Sequence, residues 1–203
     1  MTDASIAAAY DDRATEYVTI LGDVDQMDAA DRATIARWRD DTSGRLLDAG
    51  CGPGHWTAFL QDGNRDVVGL DLSMRFIEAA RSRHPHLRFV HGSFRDLAFE
   101  DASLGGILAW YSLIHTDPDE VPGILAEFAR VIASGGTLLL GYFDGEPREH
   151  FSHAVAPAFF WSADTIGDLV STAGFSVLSS ERRERLSGEV SRRPHGALIA
   201  QRR

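Results

Sequence analysis

The 203-residue chain carries 20 Lys and Arg against 30 Asp and Glu, a formal net charge of −10 at pH 7, with 44% hydrophobic residues and a single cysteine. That length suits one domain with a substantial core, and scattered arginines in an acidic chain speak against gripping nucleic acid, which needs clustered cations to release counterions. Cys51 alone permits no intrachain disulfide, no apolar run reaches the roughly 18–20 residues that cross a bilayer, and acidic Met1–Asp12 lacks a secretory pattern. A single soluble domain spanning 1–203, cytoplasmic, with no nucleic-acid or membrane partner, is the expectation.

After an N-terminal arm, apolar spacing at Ala33, Ile35, Ala36 and Trp38 predicts a helix over Ala29–Asp40; arm and helix together make up 1–40. A strand follows at Arg45–Ala49, then a helix from His55 to Gln61 and a strand at Asp66–Leu70. Ser73 suits the N-cap of a helix over Met74–Arg83. Leu87–His91 and Leu104–Trp110 read as strands three and four. Pro118 favours the first turn of a helix running to Ile132, and Gly135-Gly136 precede an apolar fifth strand at Thr137–Phe143. Ser162 opens a last helix that Gly174 stops, and Phe175–Ser180 and Ala197–Gln201 close the chain as strands around a polar stretch, Glu181–Pro194. This alternation predicts an α/β fold with a mostly parallel sheet covered by helices on both faces. The aperiodic segment 144–161, with His150 and His153, is long enough to be a lid or substrate loop.

The informative stretch is Leu46-Leu47-Asp48-Ala49-Gly50-Cys51-Gly52-Pro53-Gly54, where a buried strand turns into a helix. Glycines there allow positive φ and leave bare backbone, and the helix start offers unpaired N–H groups to an anion. The spacing is G-x-G-x-G, preceded by Asp48, not the G-x-G-x-x-G of dinucleotide sites. A strand-end carboxylate repels pyrophosphate but suits an ammonium, so the pair fits the methionyl end of S-adenosylmethionine: Gly50, Cys51, Gly52 and Gly54 for the carboxylate, Asp48 for the ammonium. Asp71, ending the second strand with Leu72 beside it, has two acceptor oxygens for a ribose diol.

On these residues the chain resembles the class I S-adenosylmethionine-dependent methyltransferases, in particular the small bacterial ubiquinone/menaquinone-methyltransferase-like kind, over about Tyr10–Gln201. The resemblance implies a Rossmann-like sheet of seven strands with the last antiparallel. It implies adenine contacts at His91-Gly92-Ser93-Phe94 and places Ala109–His115, with Trp110, beside the sulfonium. It also implies a turn at Val131–Leu139 before the fifth strand, and tyrosines of the arm, Tyr17 among them, closing over the cofactor. Two positions depart from the family: Ser93 stands where Asp is common, and Gly105-Gly106 replace the usual opening of the fourth strand, a change of packing.

The implied reaction is methyl transfer from S-adenosylmethionine to a small molecule, leaving S-adenosylhomocysteine. Alignment of the acceptor is its main requirement. A hydroxyl acceptor is slightly favoured because His115 is available as a base, with Tyr111 to bond or stack on the acceptor. His55 and Trp56 open the helix after the glycines and face the methionyl end. No recognisable ligand spacing suggests a metal. The protein is expected to act as a monomer or homodimer. The rival readings are a non-catalytic S-adenosylmethionine-binding protein and an NAD(P)-dependent oxidoreductase. The glycine spacing and the lack of a Tyr-x-x-x-Lys pair disfavour the latter.

Overall fold

The computed structural model describes residues 2–63, 65–184 and 193–203. Seven strands form one sheet: β1 (Leu46–Ala49), β2 (Val67–Asp71), β3 (Arg88–His91), β4 (Leu104–Trp110), β5 (Ile132–Phe143), β8 (Phe175–Arg183) and β9 (His195–Arg202). Their spatial order is β3-β2-β1-β4-β5-β9-β8. β1 through β5 pair in parallel, and β9 runs antiparallel to both β5 and β8. Helices α1 (Asp3–Leu21), α2 (Ala29–Asp41), α3 (His55–Leu60), α4 (Met74–Arg83), α5 (Val121–Val131) and α6 (Ala163–Thr172) follow the expected alternation.

Several bounds differ from the sequence expectation. The N-terminal arm is a nineteen-residue helix, α1, capped by Thr2, whose side chain accepts from the Ser5 N–H. Ile6, Tyr10, Ala14, Tyr17 and Leu21 stand at helical spacing along it, with Ile6 and Ala14 buried. β5 begins at Ile132, where the helix was expected to end, and β8 and β9 extend further than expected, to Arg183 and from His195. Part of the 181–194 stretch lies outside the described residues. Segment 144–161 contains a two-stranded hairpin, β6 (His150–Phe151) with β7 (Ala158–Phe159).

The largest core cluster lies between the sheet and α5 and α6, with Leu47, Ile107, Leu138, Phe128 and Val170 fully buried. The other face packs Ile35, Trp38, Leu46 and Leu108 beneath α2 and α3. Gly105-Gly106 serve this packing: a Cβ at Gly105 would lie 1.8 Å from the Ser43 carbonyl oxygen, and one at Gly106 would lie 2.8 Å from Thr42 Cγ2. β1 therefore has β2 on one side and β4 on the other. The chain leaves in opposite directions from that pair, which opens a crevice at the carboxyl ends of the strands.

Candidate active site

A cavity of about 990 Å³ fills this crevice. That lies within the range of small-molecule sites and leaves room for more than one drug-sized group. Its floor is the turn after β1. Gly50, Gly52 and Gly54 all have positive φ (81°, 52° and 87°). Gly50 N–H donates to the Leu70 carbonyl at 2.7 Å, tying the turn to β2. A Cβ on Gly50 would lie 2.4 Å from Ser112 Cβ, whereas one on Gly52 would meet nothing within 4 Å. The turn is closed to side chains on one side and open to the cavity on the other.

Asp71 stands beside it. Its carboxylate accepts from the N–H groups of Gly52 and Ser73, each at 2.8 Å, one per oxygen. Each oxygen keeps a further lone pair toward the cavity. Burial raises the Asp71 pKa to about 6, against the two N–H bonds that favour the charge. Two neutral polar atoms of the cavity wall, Ser112 Oγ and His55 Nδ1, are buried without a partner among the described residues. Unpaired groups of that kind are expected where a ligand supplies the missing bond. A bare turn, a diol-sized carboxylate and these two atoms fit an amino acid joined to a nucleoside.

The cavity is lined by Tyr17, Gly50, Cys51, Gly52, His55, Trp56, Asp71, Leu72, Phe94, Trp110, Tyr111 and His115, among other residues. Five residues expected in contact with a cofactor do not line it: Asp48, Gly54, His91, Gly92 and Ser93. Asp48, 1% exposed, sits beneath the turn and accepts from Thr57 Oγ1 at 2.7 Å. Burial raises its pKa to about 7, with Asp71 adding to the effect. It is held from α3 by Thr57 and does not line the cavity. Gly54 is the N-cap of α3 and packs on Phe89, 2.8 Å from where its Cβ would be. Ser93 donates to Asp3 Oδ2 at 2.6 Å, and Arg95 Nε donates to Asp3 Oδ1 at 2.7 Å. The carboxylate at this end of the cavity comes from α1, through Asp3, a residue the sequence pattern gave no reason to single out.

The family model described as "Methyltransferase domain" matches residues 46–136. Over that segment the chain is similar to the class I S-adenosylmethionine-dependent methyltransferases. A demethylmenaquinone methyltransferase of Beutenbergia cavernae is 33% identical over 120 residues, 59% of this chain and 49% of that protein. The chain spans roughly a third to a half of the curated relatives it matches. Among solved structures, the 1,6-didemethyltoxoflavin-N1-methyltransferase of Burkholderia thailandensis shares the fold with TM-score 0.75 and 22% identity, covering 100% of this chain and 91% of that one. The [4+2]-cyclase SpnF shares it with TM-score 0.83 and 16% identity, covering 100% and 97%.

Helix α1 closes one side of the cavity. Tyr17 packs on Phe76 with ring centroids 5.1 Å apart, and burial pushes its phenol up to about 12. Tyr10, the other tyrosine of the arm, lies at hydrogen-bond distance, 2.9 Å, from His115 Nε2. His115 Nδ1 lies 2.9 Å from the Pro157 carbonyl oxygen. A carbonyl only accepts, so Nδ1 carries the proton, Nε2 is the acceptor and the Tyr10 hydroxyl donates. Burial lowers the His115 pKa, so the ring is a neutral post joining α1 to the 144–161 segment, with both nitrogens engaged.

Tyr111 has φ of 54°, a conformation costing a bulky residue on the order of 1–3 kcal/mol. Its hydroxyl is hydrogen-bonded to His195 Nδ1, and both residues line the cavity. His195 opens β9 opposite Phe143, the last residue of β5. An antiparallel terminal strand begins at the edge where the parallel strands end, and that is the signal that could have found it.

Proposed function

We propose that this protein binds S-adenosylmethionine and transfers its methyl group to a small organic acceptor, through a hydroxyl oxygen in the favoured case. The observation that carries the reading is the open face of Gly52 beside the Asp71 carboxylate, which Gly52 N–H itself helps to hold. Gly50, Cys51 and Gly52, with Ser112 and His55, take the methionyl group; Trp56 and Trp110 wall that end; Asp71 takes the ribose hydroxyls. Leu72 and Phe94 pack the adenine, with Asp3, held by Ser93 and Arg95, offering the carboxylate that position 93 lacks. Asp48 and Gly54 act from beneath the turn, and Tyr17 covers the cofactor from α1.

The bound cofactor would supply an activated methyl group whose leaving group is a neutral thioether. The chain's own contribution is then alignment and exclusion of water, which can be worth up to roughly 7–11 kcal/mol in ideal geometry. His115 serves this reading as a positioning residue: it anchors Tyr10 and so the helix over the cavity. Residues 144–161 act as the wall or lid on the acceptor side, where His153 and Ala154 line the cavity. No helix among the described residues is long and apolar enough to cross a membrane. We place the protein in the cytoplasm, working as a monomer or homodimer.

A thermal-shift titration tests the reading. S-adenosylhomocysteine at a hundredfold over its Kd should stabilise the fold by about 2.7 kcal/mol while NADH leaves Tm unchanged. No shift with S-adenosylhomocysteine would sink it. The alternative is a site that binds the cofactor without methyl turnover. A panel of hydroxyl, amine and enol acceptors, assayed for release of S-adenosylhomocysteine, separates the two.

A further inference from the structure

We propose that Tyr111 and His195 form the proton-accepting dyad of the site, and that the acceptor they serve is a flat phenolic or enolic hydroxyl. The proposal rests on the methyltransferase reading above. Tyr111 follows β4 directly and precedes Ser112, whose Cβ lies 2.4 Å from where a Gly50 Cβ would be. The phenol is therefore one residue from the turn that takes the methionyl end. Its backbone is held in a sparsely populated conformation, φ 54°, and its ring is fixed against Trp110 (centroids 5.4 Å, edge-on) and Phe143 (4.9 Å). Such strain persists where surrounding structure over-determines it, and it clusters at functional sites.

The other imidazoles of the cavity are differently committed. His115 accepts from Tyr10 and donates to Pro157. His55 lies on the glycine-turn side. Burial pushes both His55 and His153 down to about 4, which leaves them weak bases. The Tyr111 hydroxyl, by contrast, meets a ring nitrogen of His195 directly, and both face the cavity. The rings of Trp110, Tyr111 and Phe143 offer aromatic faces to a planar acceptor.

In the step, Tyr111 Oη takes the acceptor's hydroxyl proton while passing its own proton to His195 Nδ1. The freed oxygen pair forms the bond to the methyl carbon as the carbon–sulfur bond breaks, and that bond's electron pair stays on sulfur. The positive charge moves from the sulfonium to the His195 imidazolium, so charge balances.

The test uses wild type, Tyr111→Phe, His195→Gln and His86→Gln. Each is titrated with S-adenosylhomocysteine by calorimetry, and the resulting complex is then titrated with 4-nitrophenol, whose neutral and phenolate forms differ in absorbance. In wild type, the ionised fraction of bound probe should exceed that of free probe at the same pH. Tyr111→Phe, which removes one oxygen, and His195→Gln should abolish the excess, whereas His86→Gln, at an exposed turn outside the cavity, keeps it. Methyl transfer to a panel of phenols should fall about 10²–10⁴-fold in Tyr111→Phe. An equal ionised fraction in wild type and Tyr111→Phe, or no binding of the phenol to the S-adenosylhomocysteine complex, would overturn the dyad. Absence of S-adenosylhomocysteine binding to wild type, seen before any phenol is added, would overturn the methyltransferase reading and the dyad with it.

Discussion

Asp48 is a carboxylate almost wholly removed from water, with Thr57 donating to one oxygen. Burial keeps it protonated in the fold up to about pH 7, whereas in the unfolded chain it releases its proton near pH 4. Between those values the folded state binds one proton more than the unfolded state, so wild-type stability falls as pH rises and levels off above about 7. Asp48→Asn keeps an acceptor for Thr57 and has no such dependence. Its stability relative to wild type should grow by about 2–3 kcal/mol from pH 5 to pH 7, read by urea unfolding at both values. A difference that stays flat would mean that Asp48 is ionised in the fold throughout. At this scale the sequence showed which residue types were present but not where their side chains point. The sequence places Asp48 at the strand end but not its bond to Thr57, and Ser93 reads as a lost carboxylate until Asp3 arrives from 90 residues away.

The turn from β1 into α3 was legible because its physics is local. Glycine spacing, a buried strand before and a helix after are contained in fifteen residues, and all three glycines adopt positive φ. Gly52 has open space where a Cβ would stand, so Gly52→Ala should cost only backbone strain, about 1–2 kcal/mol. The added methyl would project toward ligand. S-adenosylhomocysteine affinity should therefore drop tenfold or more by calorimetry, while a stability loss well above that strain would show that the space is not open. Helix α1 was legible in spacing but expected only as an arm: Ile6, Tyr10, Ala14, Tyr17 and Leu21 stand on one helical face. What the sequence could not show is what that helix reaches: Asp3 to Arg95, Asp11 to Ser73, Tyr10 to His115.

At the scale of the whole molecule, the cavity is assembled from α1, the turns after β1, β2 and β3, the segment after β4, the 144–161 hairpin and the start of β9. These elements surround the space a ligand would fill, while the outer strand β8, mostly exposed, contributes Arg183 at its end. Saturation with S-adenosylhomocysteine should slow amide exchange in α1 and around 110–116 and leave the middle of β8 unchanged. Uniform protection across the sheet would instead indicate global stabilisation without closure of the helix.

Strand alternation, the glycine turn and the acid ending β2 follow from periodicity and turn chemistry acting over a few residues, so the primary structure alone determined the sheet, its crevice and the floor of the site. The bond from Tyr10 to His115 spans 105 residues, and that from Tyr111 to His195 spans 84. Those pairings exist because an antiparallel strand and a packed helix bring distant side chains to one edge. Only the tertiary structure could therefore decide which histidine is tied up and which one meets the phenol.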